Sequence, residues 1–247
     1  MRNLFILFLV VISFLSCQPK KEVLTIAAAS NTQFAMVKLV EVFKKETGYP
    51  CEVVISSSGK LSAQVKEGAP FDVFCSADLK YPNELFNTGY TRSKPKVYAH
   101  GKLVMWSLSR VPTIPFLAGQ KIKHIALASP KTAPYGGAAM EVINYYGLRP
   151  YLKDKLVFGE SISQVNQFVS TGSVDLGFTA MSVVLSPEMK DIGYWLEVDP
   201  DVYNPIAQGV VTLDNDKKLK VEADAFVDFL FSESGNKILK EFGYLVK

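Results

Sequence analysis

Histidine and cysteine are scarce in this chain. Its 247 residues hold two histidines, His100 and His124, and three cysteines. No Cys-x-x-Cys and no histidine pair at ligand spacing occurs, which excludes the soft-metal sites built on such patterns. An excess of one charge is missing too. Lysine and arginine number 27 against 24 aspartates and glutamates, a net charge of +3, and no basic run is long enough to follow a phosphate backbone. Nucleic acid is therefore not an expected partner. Catalytic signatures are also lacking. Neither histidine lies beside a nucleophile-elbow Gly-x-Ser-x-Gly, and Ser58-Gly59-Lys60 lacks the upstream glycine of a Walker loop. No enzyme activity, no cofactor and no protein-coordinated cation are expected, and Lys60 reads as a solvated first-turn lysine. A lipid-anchored serine hydrolase is the enzyme alternative, with only those two histidines to act as base.

What is present can build a core. The chain is 48% hydrophobic and 21% charged, and its length suits one or two domains. Arg2 precedes an almost unbroken apolar stretch of 12 residues, Leu4–Leu15. A bilayer core needs about 20, so the run reads as the hydrophobic part of a secretory signal peptide spanning residues 1–16. Phe14-Leu15-Ser16-Cys17 resembles a bacterial lipobox, with Phe14 where Leu is usual. That resemblance implies cleavage before Cys17, a lipid on Cys17 and a membrane tether over residues 17–22. The alternative is an ordinary signal peptide with Cys17 incidental. On either reading the mature protein works outside the cytoplasm. A Cys51–Cys75 disulfide is permitted there, but nothing in the sequence brings the two together, and buried free thiols are the expectation.

Strand-like and helix-like stretches alternate along the chain. Short β-branched runs occur at Val23–Ala28, Glu52–Ile55, Phe71–Cys75, Leu103–Trp106, His124–Ala128, Leu156–Phe158, Asp175–Thr179 and Gly209–Leu213. Amphipathic stretches lie between them, such as Phe34–Lys45, where Phe34, Val37, Val40 and Phe43 recur every three residues before Gly48. This pattern predicts βαβ units and mostly parallel sheets. Proline-bearing extended segments at Ser93–Tyr98 and Tyr203–Gln208 read as crossings between two lobes. Residues 23–97 plus 207–247 would form the first lobe and 98–206 the second.

Four strand-to-helix turns place small or hydroxyl residues where a helix begins. They are Ala27–Gln33, Ser56–Leu61, Thr132–Gly137 and Glu160–Gln164. Exposed N–H groups and the helix dipole make such places anion seats. Ser30 with Gln33, and Ser161 with Gln164, also have capping-box spacing. A serine there is ordinarily only a cap, worth about 1 kcal/mol. Four such turns at strand ends point further, because open sheets bind ligands beyond the carboxyl ends of their strands.

These turns carry a resemblance. Ala27-Ala28-Ala29-Ser30, Ser57-Ser58-Gly59-Lys60-Leu61, the stretch from Gly68-Ala69-Pro70 through Asp72-Val73-Phe74 to Ser76-Ala77-Asp78, and Pro134-Tyr135-Gly136 are similar to the ModA-type molybdate-binding proteins of bacterial ABC importers. So are Asp175-Leu176-Gly177-Phe178 and Tyr203-Asn204-Pro205-Ile206-Ala207-Gln208. The resemblance runs from about residue 23 to the C-terminus. It implies a two-lobed type II periplasmic-binding-protein fold, α/β in each lobe, with an oxyanion in the interlobe cleft. The implied partners are molybdate or tungstate and an ABC permease, and the protein would be a monomer. Carried over by motif, the ligand positions are Ser30, in one branch also Asn31, then Ser58, Tyr135 and the backbone of Ile162. One branch has a tyrosine where this chain has Ala180, so Tyr135 would supply a phenol instead. Whether Tyr135 acts through its hydroxyl, its backbone N–H or both stays open.

The ligand class also follows from chemistry. Molybdate, tungstate and sulfate carry no proton at neutral pH, so their site needs only donors, as hydroxyl, amide and backbone N–H groups supply. Phosphate retains a proton and favours a site with an acceptor. None of the five positions is acidic, although Glu160 lies near Ile162. A sulfate- or phosphate-type oxyanion receptor of the same fold is the alternative ligand assignment.

Overall fold

The computed structural model describes residues 22–215 and 219–246. The expected signal peptide, Cys17 and all of the tether except Glu22 lie outside the described residues. Among the described residues, ten strands fall into two sheets. The first contains β1 (Leu24–Ala29), β2 (Cys51–Ser56), β3 (Val73–Cys75), β4 (Lys96–Gly101) and β10 (Ile206–Thr212), in the order β2-β1-β3-β10-β4. The second contains β5 (Leu103–Ser107), β6 (Ile125–Ala128), β7 (Leu156–Gly159), β8 (Leu176–Ala180) and β9 (Tyr194–Glu197), in the order β7-β6-β8-β5-β9. Four strands of each sheet point the same way. The reversed strands are β10, antiparallel to β3 and β4, and β5, antiparallel to β8 and β9. Each reversed strand is the first one built after the chain has crossed between the sheets.

The crossings correct one detail of the sequence reading. The first sheet keeps the chain through Gly101, and the change of sheet falls at Lys102, not at residue 97. Residues 96–101 form an edge strand with mixed exposure, so no apolar run marks it. The other unforeseen strand, β9, is also an edge and alternates exposed with half-buried residues.

The helices around the sheets include α1 (Gln33–Thr47), α2 (Ser58–Lys66), α3 (Lys80–Asn87), α4 (Pro134–Tyr145), α5 (Ile162–Ser170), α6 (Met181–Val184), α7 (Lys220–Phe231) and α8 (Glu233–Glu241). In α1 the buried positions include Met36, Leu39, Val40 and Phe43, the i, i+3, i+4, i+7 stripe of a 3.6-residue period. Val37, expected on that face by the three-residue count, is 65% exposed. The helix stops at Gly48, whose φ of 72° suits a residue without Cβ. Phe43 meets Phe226 edge-on at 5.2 Å and thereby docks α7 onto the first lobe. The first sheet is covered on both faces by apolar clusters, and a separate cluster fills the second lobe. Phe34 packs against the core of both lobes. Cys51 and Cys75 are buried free thiols.

Candidate functional site

The carboxyl ends of β1, β2, β6 and β7 lead into a 3-10 turn (Ser30–Thr32) and into α2, α4 and α5, two helix beginnings from each lobe. The first N–H groups of a helix have no intrahelical acceptor and carry the positive end of its dipole. These four beginnings enclose one cavity, lined among others by Ser30, Asn31, Ser57, Ser58, Tyr135 and Ile162. All five expected ligand positions thus come together, and among the described residues no charged side chain lines the cavity. Its volume is about 10 Å³, room for about one water, so the lobes are closed on each other. Small residues permit that approach. A Cβ on Gly136 would lie 2.0 Å from the Ala128 carbonyl oxygen, so only glycine lets α4 start this close to the end of β6.

The local hydrogen bonds assign parts to these residues. Ser30 does not cap its own turn. Its Oγ accepts from the Ile162 N–H of the other lobe at 3.1 Å, and Gln33 Oε1 accepts from Ser163 Oγ, also across the cleft. The expected Ser30–Gln33 capping box is therefore corrected: both side chains turn to the opposite lobe. Ser161 and Gln164 do form a cap, Ser161 Oγ accepting from Gln164 N at 3.4 Å and Gln164 Oε1 from Glu160 N at 2.7 Å. Ser58 Oγ accepts from Ala77 N at 3.0 Å, which leaves its own hydrogen to donate. Ser57 precedes it, is 1% exposed, and its hydroxyl has no partner among the described residues. Ser57 is not among the five expected ligand positions; as the N-cap of α2 without a cap bond it holds a free donor at the cavity.

Tyr135 divides its two donors. Its hydroxyl is wedged against the backbone of Gly101, where a Cβ would come within 2.0 Å, and accepts from Gln208 Nε2 at 3.4 Å. Burial holds this phenol well above its ordinary range, so it stays protonated. Its backbone N–H follows Pro134 in the first turn of α4 and has no helical acceptor. Ala180, in place of the tyrosine of the other branch, closes β8. Two residues on, Ser182 Oγ donates to the Asn31 carbonyl at 2.7 Å.

Around the cavity the lobes are fastened directly. Gly59 N–H donates to the Thr132 carbonyl at 2.9 Å, and Tyr81 Oη to the Lys131 carbonyl at 3.0 Å. Lys60 Nζ pairs with Glu160 Oε2 at 2.5 Å, so Lys60 is an interlobe partner and not merely a solvated lysine. Its side chain and that of Glu160 are 44% and 71% exposed, which keeps this pair outside the cavity. A buried polar cluster of Asn31, Tyr98, Tyr135, Ser182, Gln208 and Tyr244 lies behind the cavity. It joins segments more than 100 residues apart, and no local spacing announces it.

The family model described as bacterial extracellular solute-binding protein matches residues 24–245. The molybdate-binding protein ModA of Azotobacter vinelandii is 36% identical over 234 residues, covering 93% of this chain and 92% of that protein. ModA of Rhodobacter capsulatus is 36% identical over 229 residues, covering 92% and 89%. The solved structure of the Azotobacter vinelandii periplasmic molybdate-binding protein superposes with a TM-score of 0.86 at 32% identity, covering 91% of this chain and 99% of that one. Together with the two-lobed fold and the cavity between its helix beginnings, these likenesses place the chain in the bacterial extracellular solute-binding protein family, among its ModA-type members.

Proposed function

We propose that this protein is an extracytoplasmic receptor that closes on molybdate or tungstate and presents it to the permease of an ABC importer. The observation that carries the reading is the cavity itself: hydroxyls and helix-terminal N–H groups from both lobes converge there with no charged side chain. Such a set suits an anion that brings no proton, and helix N-termini favour negative charge. Two relatives at 36% identity are molybdate-binding proteins by name. In this reading Ser30 and Ser58 donate through hydroxyls, Tyr135 and Ile162 through backbone N–H groups, and Asn31 through its amide. Ser30 Oγ and Ile162 N–H, now bonded to each other, would part to receive the ion. A tetrahedral oxyanion exceeds the present cavity, so it enters when the lobes swing open at the crossings near Lys102 and Pro205. A lipid on Cys17 would hold the monomeric receptor at the membrane.

The alternative ligand, hydrogen phosphate, has one observation in its favour. Asn31 Oδ1 is buried and has no donor, so it could accept the ligand's proton. Thermal unfolding with molybdate, tungstate, sulfate and phosphate, each in excess, decides between them. A ligand at 100 times its Kd adds about 2.7 kcal/mol, roughly 5–10 °C for a chain of this size. A shift with molybdate and tungstate is expected. A shift with phosphate alone would overturn the ligand and keep the fold.

A further inference from the structure

The buried cluster behind the cavity is a connected set of hydrogen bonds. Gln208 is fully buried on β10. Its Oε1 accepts from Asn31 Nδ2 at 3.1 Å and from Tyr98 Oη at 2.9 Å, and its Nε2 donates to Tyr135 Oη at 3.4 Å. The second hydrogen of Asn31 Nδ2 goes to Tyr244 Oη at 3.0 Å. Tyr244 Oη in turn lies 3.0 Å from Ser182 Oγ and 3.2 Å from the Asn31 carbonyl, either of which takes its hydrogen. One acceptor is left over: Asn31 Oδ1, buried and undonated, on a residue that lines the cavity.

A second arrangement uses the same heavy-atom positions. If the two amides turn over together, Gln208 Nε2 donates to Asn31 Oδ1 and to Tyr98 Oη, and the Tyr98 hydrogen gives up its Gln208 acceptor. Gln208 Oε1 then accepts from Tyr135 Oη, and Tyr244 Oη donates to Asn31 Oδ1. The orphaned carbonyl gains two donors, and the Asn31 NH2 is released toward the cavity. Neither amide can turn alone without setting oxygen against oxygen or nitrogen against nitrogen at their 3.1 Å contact. From this, and resting on the oxyanion reading of the site, we infer that Gln208 is a positioning residue that sets the orientation of the Asn31 amide. The pair is a two-state element: one state offers the cavity an acceptor, the other a donor. A proton-free dianion selects the donor state, and Gln208 supplies the bond that makes this state stable. Through Tyr135 it ties that choice to the second lobe, so the amide setting and lobe closure are linked.

The test is a double-mutant cycle read by calorimetric titration with sodium molybdate. Gln208→Met keeps length and burial but removes both ends of the amide. It should weaken molybdate binding about tenfold when Asn31 is present, because the turned Asn31 loses a buried partner. In an Asn31→Ala background the same change should cost less than about twofold. An unchanged affinity in Gln208→Met, or an equal loss in both backgrounds, would overturn the inference, since general damage to the fold acts without regard to Asn31. A spectroscopic readout needs no variant: the side-chain NH2 resonances of Asn31 and Gln208 should both shift when molybdate is added to the wild-type protein, and two unmoved amides would refute the coupled turn. Failure of the wild-type protein to bind molybdate at all would instead remove the site reading on which the inference rests.

Discussion

Replacing Gly59 by alanine should move stability and binding in opposite directions. Gly59 is the second residue of α2, and an alanine within a helix is favoured over glycine by about 0.5–1 kcal/mol. The lobe carrying it should therefore be slightly more stable. Closure is another matter. A Cβ there would lie 2.7 Å from Tyr81 Oη and 3.0 Å from Thr132 Cα, against 3.4–4 Å for ordinary contact. Tyr81 belongs to the same lobe and its ring can swing away. Thr132 Cα is backbone of the opposite lobe and retreats only if the lobes part by several tenths of an ångström. That displacement also stretches the Gly59 N–H bond to the Thr132 carbonyl. Overpacking of this kind costs about 1–3 kcal/mol, and it falls on the closed form alone. Molybdate affinity should thus drop about 5- to 150-fold. Calorimetric titration gives the affinity, and thermal unfolding without ligand gives the stability. An unchanged Kd would refute the argument that this contact limits closure; a ligand-free melting point lowered along with affinity would show instead that the substitution damages the lobe.

Two more expectations rest on individual groups. Ser58→Ala removes a hydroxyl whose oxygen is held by Ala77 N–H and whose hydrogen is free for an anion. A charged hydrogen bond is worth about 1.5–3 kcal/mol, so titration should show molybdate binding weakened at least tenfold; equal affinity would remove Ser58 from the site. The buried phenols give a pH dependence of known sign: burial raises Tyr98 and Tyr135 and pushes Tyr244 up to about 12. These groups stay protonated when folded while the unfolded chain ionises near pH 10. Their stabilisation is complete below pH 10 and is lost as pH rises toward the folded values, at about 1.4 kcal/mol per unit for each phenol. Urea unfolding of the wild type and of Tyr244→Phe between about pH 9 and pH 12 should show a shallower decline in the variant, and parallel curves would contradict the assignment.

Much of the architecture is legible in composition alone because most strands are buried on both faces. β1 has all six residues buried and β5 all five, and such strands read as apolar runs. The two strands that escape, β4 and β9, are edges that carry Lys96, His100, Tyr194 and Glu197 among their residues. Half-exposure alone does not erase the signal, since the edges β2 and β7 keep the apolar runs Val53-Val54-Ile55 and Leu156-Val157-Phe158; β4 and β9 lack a comparable β-branched run. In α1 a recurrence of three puts Val37 in the apolar stripe, whereas the helix repeats every 3.6 residues and buries Met36 and Leu39.

The site is legible to a different degree, and the reason is the distinction between a cap and a ligand. Both are hydroxyls before a helix, so local spacing cannot separate them. Ser30–Gln33 and Ser161–Gln164 have the same spacing, yet only the second pair closes on its own helix. What separates them is whether the donors and acceptors of a lobe are satisfied within it. Ser161 has its partner three residues away, whereas Ser30 and Gln33 find theirs more than 100 residues on, in the other lobe. Ser57, with no cap bond and no partner, is the limiting case. Gln208 shows the same rule from behind: it stands in the Tyr203–Gln208 segment that marks the chain as ModA-like, but its bonds to Asn31, Tyr98 and Tyr135 span 177, 110 and 73 residues. A residue whose polar atoms are left over or spent across the cleft is available to a ligand placed there, and that surplus exists only once the two sheets are assembled.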